Sequence, residues 1–259
     1  MRLFGLITSL GLSLSIQATG AKDWKTIRIA TEGAYPPFND TDTSGRLVGF
    51  DIDIAKALCD KMQVTCQFQA EDWDNIIPSL ISDKFDAIVS SMPITDERRR
   101  RVAFSARYYE RASSFVAPKD SAIPSFDAAG LKGKVVGVLS ATSQARFLQG
   151  EIAPGGAQIR LYDTQDEAEA DLAAGRLDVL FADKIVLFDW LAKTGTACCV
   201  IKADVDPTRY TQYFGDGEGI AVRKEDTDLA GKFSKAIADI VADGTYKKIN
   251  DKYFPFSIY

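Results

Sequence analysis

The chain has 259 residues and no histidine, and that absence removes a block of chemistry. Without an imidazole there is no Ser-His-Asp or Cys-His nucleophile pair, no His-ligated zinc and no His general base. Basic charge is also short, with 31 Lys and Arg against 36 Asp and Glu and a net charge of −5. A general binder of phosphate backbones needs the opposite balance, so nucleic acid is not an expected partner. Long apolar runs are missing beyond the first residues. The longest later candidate, residues 185–191, is interrupted by Asp189, whereas a bilayer span needs ~20 residues. What is present, 46% apolar and 26% charged residues, argues against disorder, collagen and coiled coil and leaves length for two modest cores.

The first residues read as a processing signal. Arg2 gives a minimal positive start, residues 3–16 are apolar or small, and Ala18-Thr19-Gly20-Ala21 offers small residues for cleavage near Ala21. At about fourteen residues the run is too short to span a bilayer. Residues 1–21 are therefore expected to be a cleaved signal peptide, and the remainder an exported, soluble monomer. No Cys follows the cleavage region to take a lipid.

In an exported chain the four cysteines can pair. Cys59 and Cys66 are seven apart, a spacing that lets the last turn of a helix be stapled to the following strand. Cys198 and Cys199 are adjacent. In a strand their side chains would point to opposite faces, so they are expected to stay unpaired. Neither pair has the spacing of a zinc knuckle, and no metal or cofactor is expected.

From Ile27 onward strand and helix alternate. Strands are expected over 27–30, 64–70, 85–92, 135–139, 159–162 and 220–223. Helices are expected over 72–82 and across two four-residue stripes, Ile54, Leu58 and Met62, and Leu229, Phe233 and Ile237. Asp51 and Asp53 at the front of the first stripe suit a helix dipole. Two passages share a grammar: residues 77–80 followed by 84–89, and residues 170–173 followed by 176–181, each run from a helix through an Asp into an apolar strand. Two similar α/β lobes follow, the second beginning near 113. The glycines of 215–219 precede a strand instead of joining a strand to a helix, so they are read as structural and not as a dinucleotide fingerprint.

In open α/β sheets ligands sit at the carboxyl ends of strands, and several polar residues fall there. Arg98 can hold a carboxylate through two parallel hydrogen bonds, or be part of the solvated run 98–101. Thr142-Ser143-Gln144 opens a helix, either as an anion site or as ordinary capping. Asp183 ends an apolar strand and needs a partner, either a bound ammonium or Lys184. Glu32, near Tyr35 and Trp73, suits a guanidinium or ammonium by charge and cation–π attraction, although aromatics near Pro36-Pro37 also serve as packing.

At these residues the chain resembles the solute-binding proteins of polar amino-acid ABC importers, bacterial extracellular solute-binding family 3, and within it the lysine/arginine/ornithine-, histidine- and opine-binding members. The residues that carry the likeness run along the whole mature chain: 47–53, 77–80, 86–92, 94–96, 133–139, 174–178 and 243–246. The resemblance implies a two-lobe α/β fold of the type II periplasmic-binding kind, each lobe a mixed sheet flanked by helices and joined by a two-strand hinge. One lobe comprises 22–112 and 215–259, the other 113–214. It also implies that Arg98 and Ser143 hold an α-carboxylate, Asp183 an α-ammonium and Glu32 a basic side chain. Tyr35 and Trp73 are then aromatic walls, and Ser90, Ser91, Met92, Leu139, Thr142 and Gln144 complete the pocket. Cys59 and Cys66 match the family's disulfide.

Two departures bear on the ligand. Pro93 stands where the lysine/arginine/ornithine binders have Ser, and Ala141 replaces a Gly. Thr31-Glu32-Gly33 with Trp73 is more similar to the opine binders. The expected function is capture of arginine, lysine, ornithine, histidine or an arginine-derived opine in the periplasm for an inner-membrane ABC permease, with no catalytic residues. The alternatives are a cyclohexadienyl dehydratase-like enzyme with Glu32 as its acid, or a ligand-sensing partner of a membrane signalling receptor.

Overall fold

The computed structural model describes residues 22–110 and 112–259, so the expected signal segment lies outside the described residues. Two five-stranded sheets are built on one plan. In the first, Thr65–Ala70, Thr26–Thr31 and Ala87–Ile88 run parallel, then Glu218–Val222 lies antiparallel between Ala87–Ile88 and Ala103–Tyr109. In the second, Gln158–Tyr162, Val135–Leu139 and Val179–Asp183 run parallel, then Ser113–Pro118 lies antiparallel between Val179–Asp183 and Cys199–Val205. The fourth strand of each sheet is supplied by the chain just after it has crossed from the other. Val179–Asp183, at the centre of the second sheet, and Glu218–Val222, next to the centre of the first, are covered on both faces, which is why they are buried at every position.

The shared grammar has a structural counterpart at the two aspartates that precede a central strand. Asp86 accepts from the backbone N–H of Arg28 at 2.9 Å, and Asp178 accepts from that of Val135 at 2.8 Å. Each carboxylate thus ties the start of its strand to the strand beside it. Burial alone would raise the Asp86 carboxyl, but hydrogen bonds from Arg28 and Arg223 outweigh it and hold the group below the usual carboxylate range.

Helices pack where the apolar stripes predict. Phe50–Met62 buries Ile54 and Leu58, and Thr227–Ala242 buries Leu229, Phe233 and Ile237. Gly49, which precedes the first of these, has φ +122°, and a Cβ there would lie 2.4 Å from the Phe38 carbonyl oxygen. The sequence reading of Asp51 as a dipole partner was too small a role. It is wholly buried and accepts from Tyr108 Oη, Asn39 Nδ2 and Ser91 Oγ at 2.7, 2.9 and 3.0 Å. It therefore ties together the helix, the small sheet of residues 34–48 and the strand-end loop. The strand expected over 85–92 has ladder pairing only at Ala87–Ile88. Ser91 turns the backbone with φ +49°, and Pro93 has no N–H to donate.

Both cysteine pairs are disulfides. The bond between Cys198 and Cys199 corrects the expectation that they stay unpaired. Cys198 is not in a strand: it caps the short turn Gly195–Ala197 in a helical conformation, and the strand begins at Cys199. The alternation of strand side chains therefore does not apply across this peptide. Among the described residues no helix is long and apolar enough to cross a membrane.

Candidate functional site

The carboxyl ends of the parallel strands in the two sheets face each other, and the lobes touch there. Glu32 follows Thr26–Thr31, Ser90 follows Ala87–Ile88, Leu139 ends its strand and Asp183 ends its own. Arg98 opens from a six-residue helix whose start is fixed by Thr95 Oγ1, which accepts from the Arg98 N–H. This correctly oriented turn buries the first arginine of the run, which is only 5% exposed, while Arg99, Arg100 and Arg101 face solvent.

Arg98 reaches across the cleft. Its guanidinium donates to the Pro93 carbonyl in its own lobe and to the Ala141 carbonyl in the other, both at 3.3 Å. Trp73 Nε1 donates to the same Ala141 oxygen at 3.3 Å, and the guanidinium carbon lies 5.2 Å from the centroid of the indole ring. Ala141 has φ +50°, a left-handed conformation that favours glycine, and its carbonyl is turned towards the first lobe. Ser140 Oγ donates to Asp74 at 2.9 Å, and Arg146 pairs with Glu97 at 3.0 Å. Four side chains of the first lobe thus hold the turn at 140–146, and the cleft is closed.

Beside that turn, Thr142 caps the helix Ser143–Phe147: its Oγ1 accepts from the Ala145 N–H and donates to the Leu139 carbonyl. Ser143 is buried, and its Oγ accepts from Arg146. Gln144 Nε2 donates to Ser113 Oγ at 3.1 Å, at the strand where the chain enters the second lobe. Asp183 is fully buried, and its Oδ1 accepts from the Ile185 N–H as the cap of the helix Lys184–Lys193. Lys184, the competing partner considered from sequence, instead pairs with Asp204 at 2.6 Å.

Glu32 forms the opposite end of the site. Its backbone N–H donates to Ser90 Oγ at 2.9 Å. Burial pushes its carboxyl from 4.5 up to about 7, and the charges of Asp74, Asp72 and Asp166 add to the shift. Tyr35 and Leu139 share a buried cluster that also contains Val186 from the second lobe. Met92 and Trp73 line a cavity of about 250 Å³ with Arg98 and Ala141. Ser91 is different, because its hydroxyl points to Asp51 inside the lobe.

Sequence reasoning passed over Asp74, Ser140 and Asp166. Asp74 and Ser140 are adjacent in sequence to Trp73 and Ala141, which were singled out, so proximity was the available signal. Asp166 lies in the first turn of the helix Gln165–Ala173, and nothing in its spacing distinguishes it from a dipole partner.

The profile of the bacterial extracellular solute-binding proteins, family 3, matches residues 27–256. An L-arginine-binding protein of Pseudomonas aeruginosa is 44% identical over the whole of this chain and 99% of its own length. The lysine/arginine/ornithine-binding periplasmic protein of Escherichia coli is 39% identical over 96% of this chain and 95% of its own. Among solved structures, an ancestral arginine-binding protein bound to arginine superposes with a TM-score of 0.81 at 35% identity, covering 89% of this chain and 98% of that one.

Proposed function

The chain belongs to the bacterial extracellular solute-binding proteins of family 3, and from that membership we propose that it is the periplasmic receptor of an ABC importer for a basic amino acid, arginine foremost. In this reading residues 1–21 direct export and are removed. The lobes are 22–112 with 215–259, and 113–214, and they close as a monomer around the ligand and present it to an inner-membrane permease. No step of catalysis is assigned to any residue.

One observation carries the reading: Arg98 of one lobe is held, by an aromatic face, against the turn that opens the helix Ser143–Phe147 of the other. A planar guanidinium and a helix start both favour a carboxylate. The two carbonyl oxygens that Arg98 now meets are neutral, so an α-carboxylate bound there gains a charge-assisted bond in their place. Asp183, buried at a strand end, supplies the negative charge for the α-ammonium. Glu32, with Tyr35 and Trp73 as walls, supplies the carboxylate for a cationic side chain. Ser90, Met92, Leu139, Thr142, Ser143 and Gln144 complete the pocket, with Ser91 contributing through its backbone. Because these groups come from both lobes, their contacts with one ligand exist together only in the closed state, and the ligand stabilises that state by the difference.

The test is calorimetry on mature protein refolded free of co-purified ligand, against arginine, lysine, ornithine, histidine, glutamate, octopine and nopaline. Binding of cationic members alone, with arginine at micromolar Kd or tighter, about −8.2 kcal/mol, supports the receptor. Preference for glutamate, or release of product from prephenate or arogenate, refutes it in favour of a different ligand or the dehydratase chemistry.

A further inference from the structure

A closed circuit of hydrogen bonds runs behind the Glu32 end of the cleft, and its centre, Asp51, has no exposed surface. Asp51 Oδ2 accepts from Asn39 Nδ2 at 2.9 Å. The same Asn39 accepts, through Oδ1, from the backbone N–H of Gly33 at 2.9 Å, and Thr41 Oγ1 donates to the Gly33 carbonyl at 3.0 Å. Both backbone polar groups of the residue after Glu32 are thus fixed by the strand Asn39–Thr41. The Glu32 N–H in turn donates to Ser90 Oγ at 2.9 Å, and the next residue, Ser91, returns to Asp51 Oδ2 through its own Oγ at 3.0 Å.

Ser91 shows how firmly the circuit holds the backbone. Its φ of +49° is a left-handed conformation that a residue other than glycine keeps only where its surroundings determine it. Two bonds do so here: the Ser91 N–H donates to Tyr108 Oη at 3.2 Å, and its Oγ donates to Asp51. Tyr108 Oη itself donates to Asp51 Oδ1 at 2.7 Å. Burial and the charge of Asp51 push the Tyr108 phenol well above its usual value, so it remains a donor. One carboxylate therefore sets two stretches of backbone, the turn that carries Glu32 and the strand end that carries Ser90 and Ser91. Arg98 takes its position from other groups, the Thr95 cap and the face of Trp73.

We propose that Asp51 is the positioning residue of the cation subsite: it meets no ligand, and it sets selectivity for a basic side chain by fixing the backbone of Glu32 and Ser91 relative to each other. This deepens the reading of Glu32 as the partner of that side chain and rests on it. A displaced Glu32 carboxylate costs a cationic ligand its charge-assisted bond, whereas a neutral side chain of similar length has no such bond to lose.

The test is calorimetry with arginine and glutamine at pH 8 on Asp51→Asn and Ser91→Ala, each alone and combined with Glu32→Gln. Residues in one hydrogen-bond network couple strongly, so Asp51→Asn should weaken arginine about tenfold and glutamine less than about threefold. With Gln at position 32 that arginine loss should vanish, whereas a long-range effect of the lost charge would persist. Ser91→Ala changes no charge and cuts the circuit at its other side; about a threefold loss confined to arginine is expected, at an unchanged melting temperature. It decides the question alone if Asp51→Asn does not fold. Equal losses for the two ligands, or an arginine loss that survives in the Glu32→Gln background, would overturn the proposal and leave Asp51 a structural hub. If Glu32→Gln by itself leaves the preference for arginine intact, the reading of Glu32 fails first and takes the proposal with it.

Discussion

Trp73 and Arg98, both in the first lobe, donate to one carbonyl oxygen, that of Ala141 in the second, and the guanidinium stacks on the indole at 5.2 Å. The ring therefore fixes the plane of the charged fork as well as its position. A Lys at 98 keeps the charge but loses the fork and the stacking. Arg98→Lys is expected to weaken arginine and glutamine alike by roughly tenfold, about 1.4 kcal/mol, and Trp73→Leu by a similar factor without loss of either lobe's stability. Isothermal titration with thermal melts checks both, and a loss confined to one ligand would contradict a shared carboxylate clamp.

Glu32 makes the receptor sensitive to pH near neutrality. Its carboxyl is raised from 4.5 to about 7, whereas a bound cation favours the ionised form. Arginine affinity is therefore expected to fall as pH drops through about 7, by up to about tenfold per unit, with no such slope for glutamine or in Glu32→Gln. For the ligand-free protein the sign runs the other way. A carboxyl whose folded value lies above its unfolded one stabilises fully below pH 4.5, and that contribution is lost as pH rises through about 7. Melting temperatures should show this group's share declining over that window without ligand and restored by arginine.

Ser140 and Asp74 join the lobes at an exposed position, with the serine Oγ 2.9 and 3.0 Å from the two carboxylate oxygens. The bond exists only when the cleft is closed, so Ser140→Ala acts on the open–closed balance and not on either core. An exposed hydrogen bond to a charged group is worth ~0.5–1 kcal/mol. The variant should expand in solution scattering without ligand and bind arginine about two- to fivefold more weakly, with an unchanged unfolding midpoint. A lowered midpoint would show that the bond is structural.

The two disulfides should differ in what they stabilise. Cys59 and Cys66 close a loop of seven residues, and replacing both with Ala is expected to cost about 2.5 kcal/mol in the chain-entropy model. Cys198 and Cys199 are neighbours and remove almost no freedom from the unfolded chain, so Ala at both positions should shift the denaturation midpoint far less. Equal losses would mean that packing of the second pair against the helix Lys184–Lys193 dominates.

Elements carried by local pattern were legible. The stripes Ile54–Leu58 and Leu229–Phe233–Ile237, the strand Val135–Leu139 and the strand ending at Asp183 follow from apolar spacing and turn residues alone. Glu32, Arg98 and Asp183 were found as charged groups at strand ends, which is where burial makes an ionisable side chain costly unless it has a partner. Three things were not legible. Asp51 is a buried hub because Tyr108, Asn39 and Ser91, up to 57 residues away, converge on it. Cys198 leaves the strand because a glycine turn precedes it. Ser140 and Asp74, 66 residues apart, meet only because the lobes close. Each depends on long-range placement that residue spacing does not encode.

The most direct test is a selectivity matrix: the dissociation constants of arginine and glutamine for wild type, Glu32→Gln and Arg98→Ala at pH 8. Losing the partner of a buried charge costs ~2–5 kcal/mol, so Glu32→Gln should weaken arginine by at least about 30-fold while changing glutamine by less than about threefold, and Arg98→Ala should weaken both. Equal losses for the two ligands in both variants would contradict a pocket that grips a zwitterion at one end and a cation at the other.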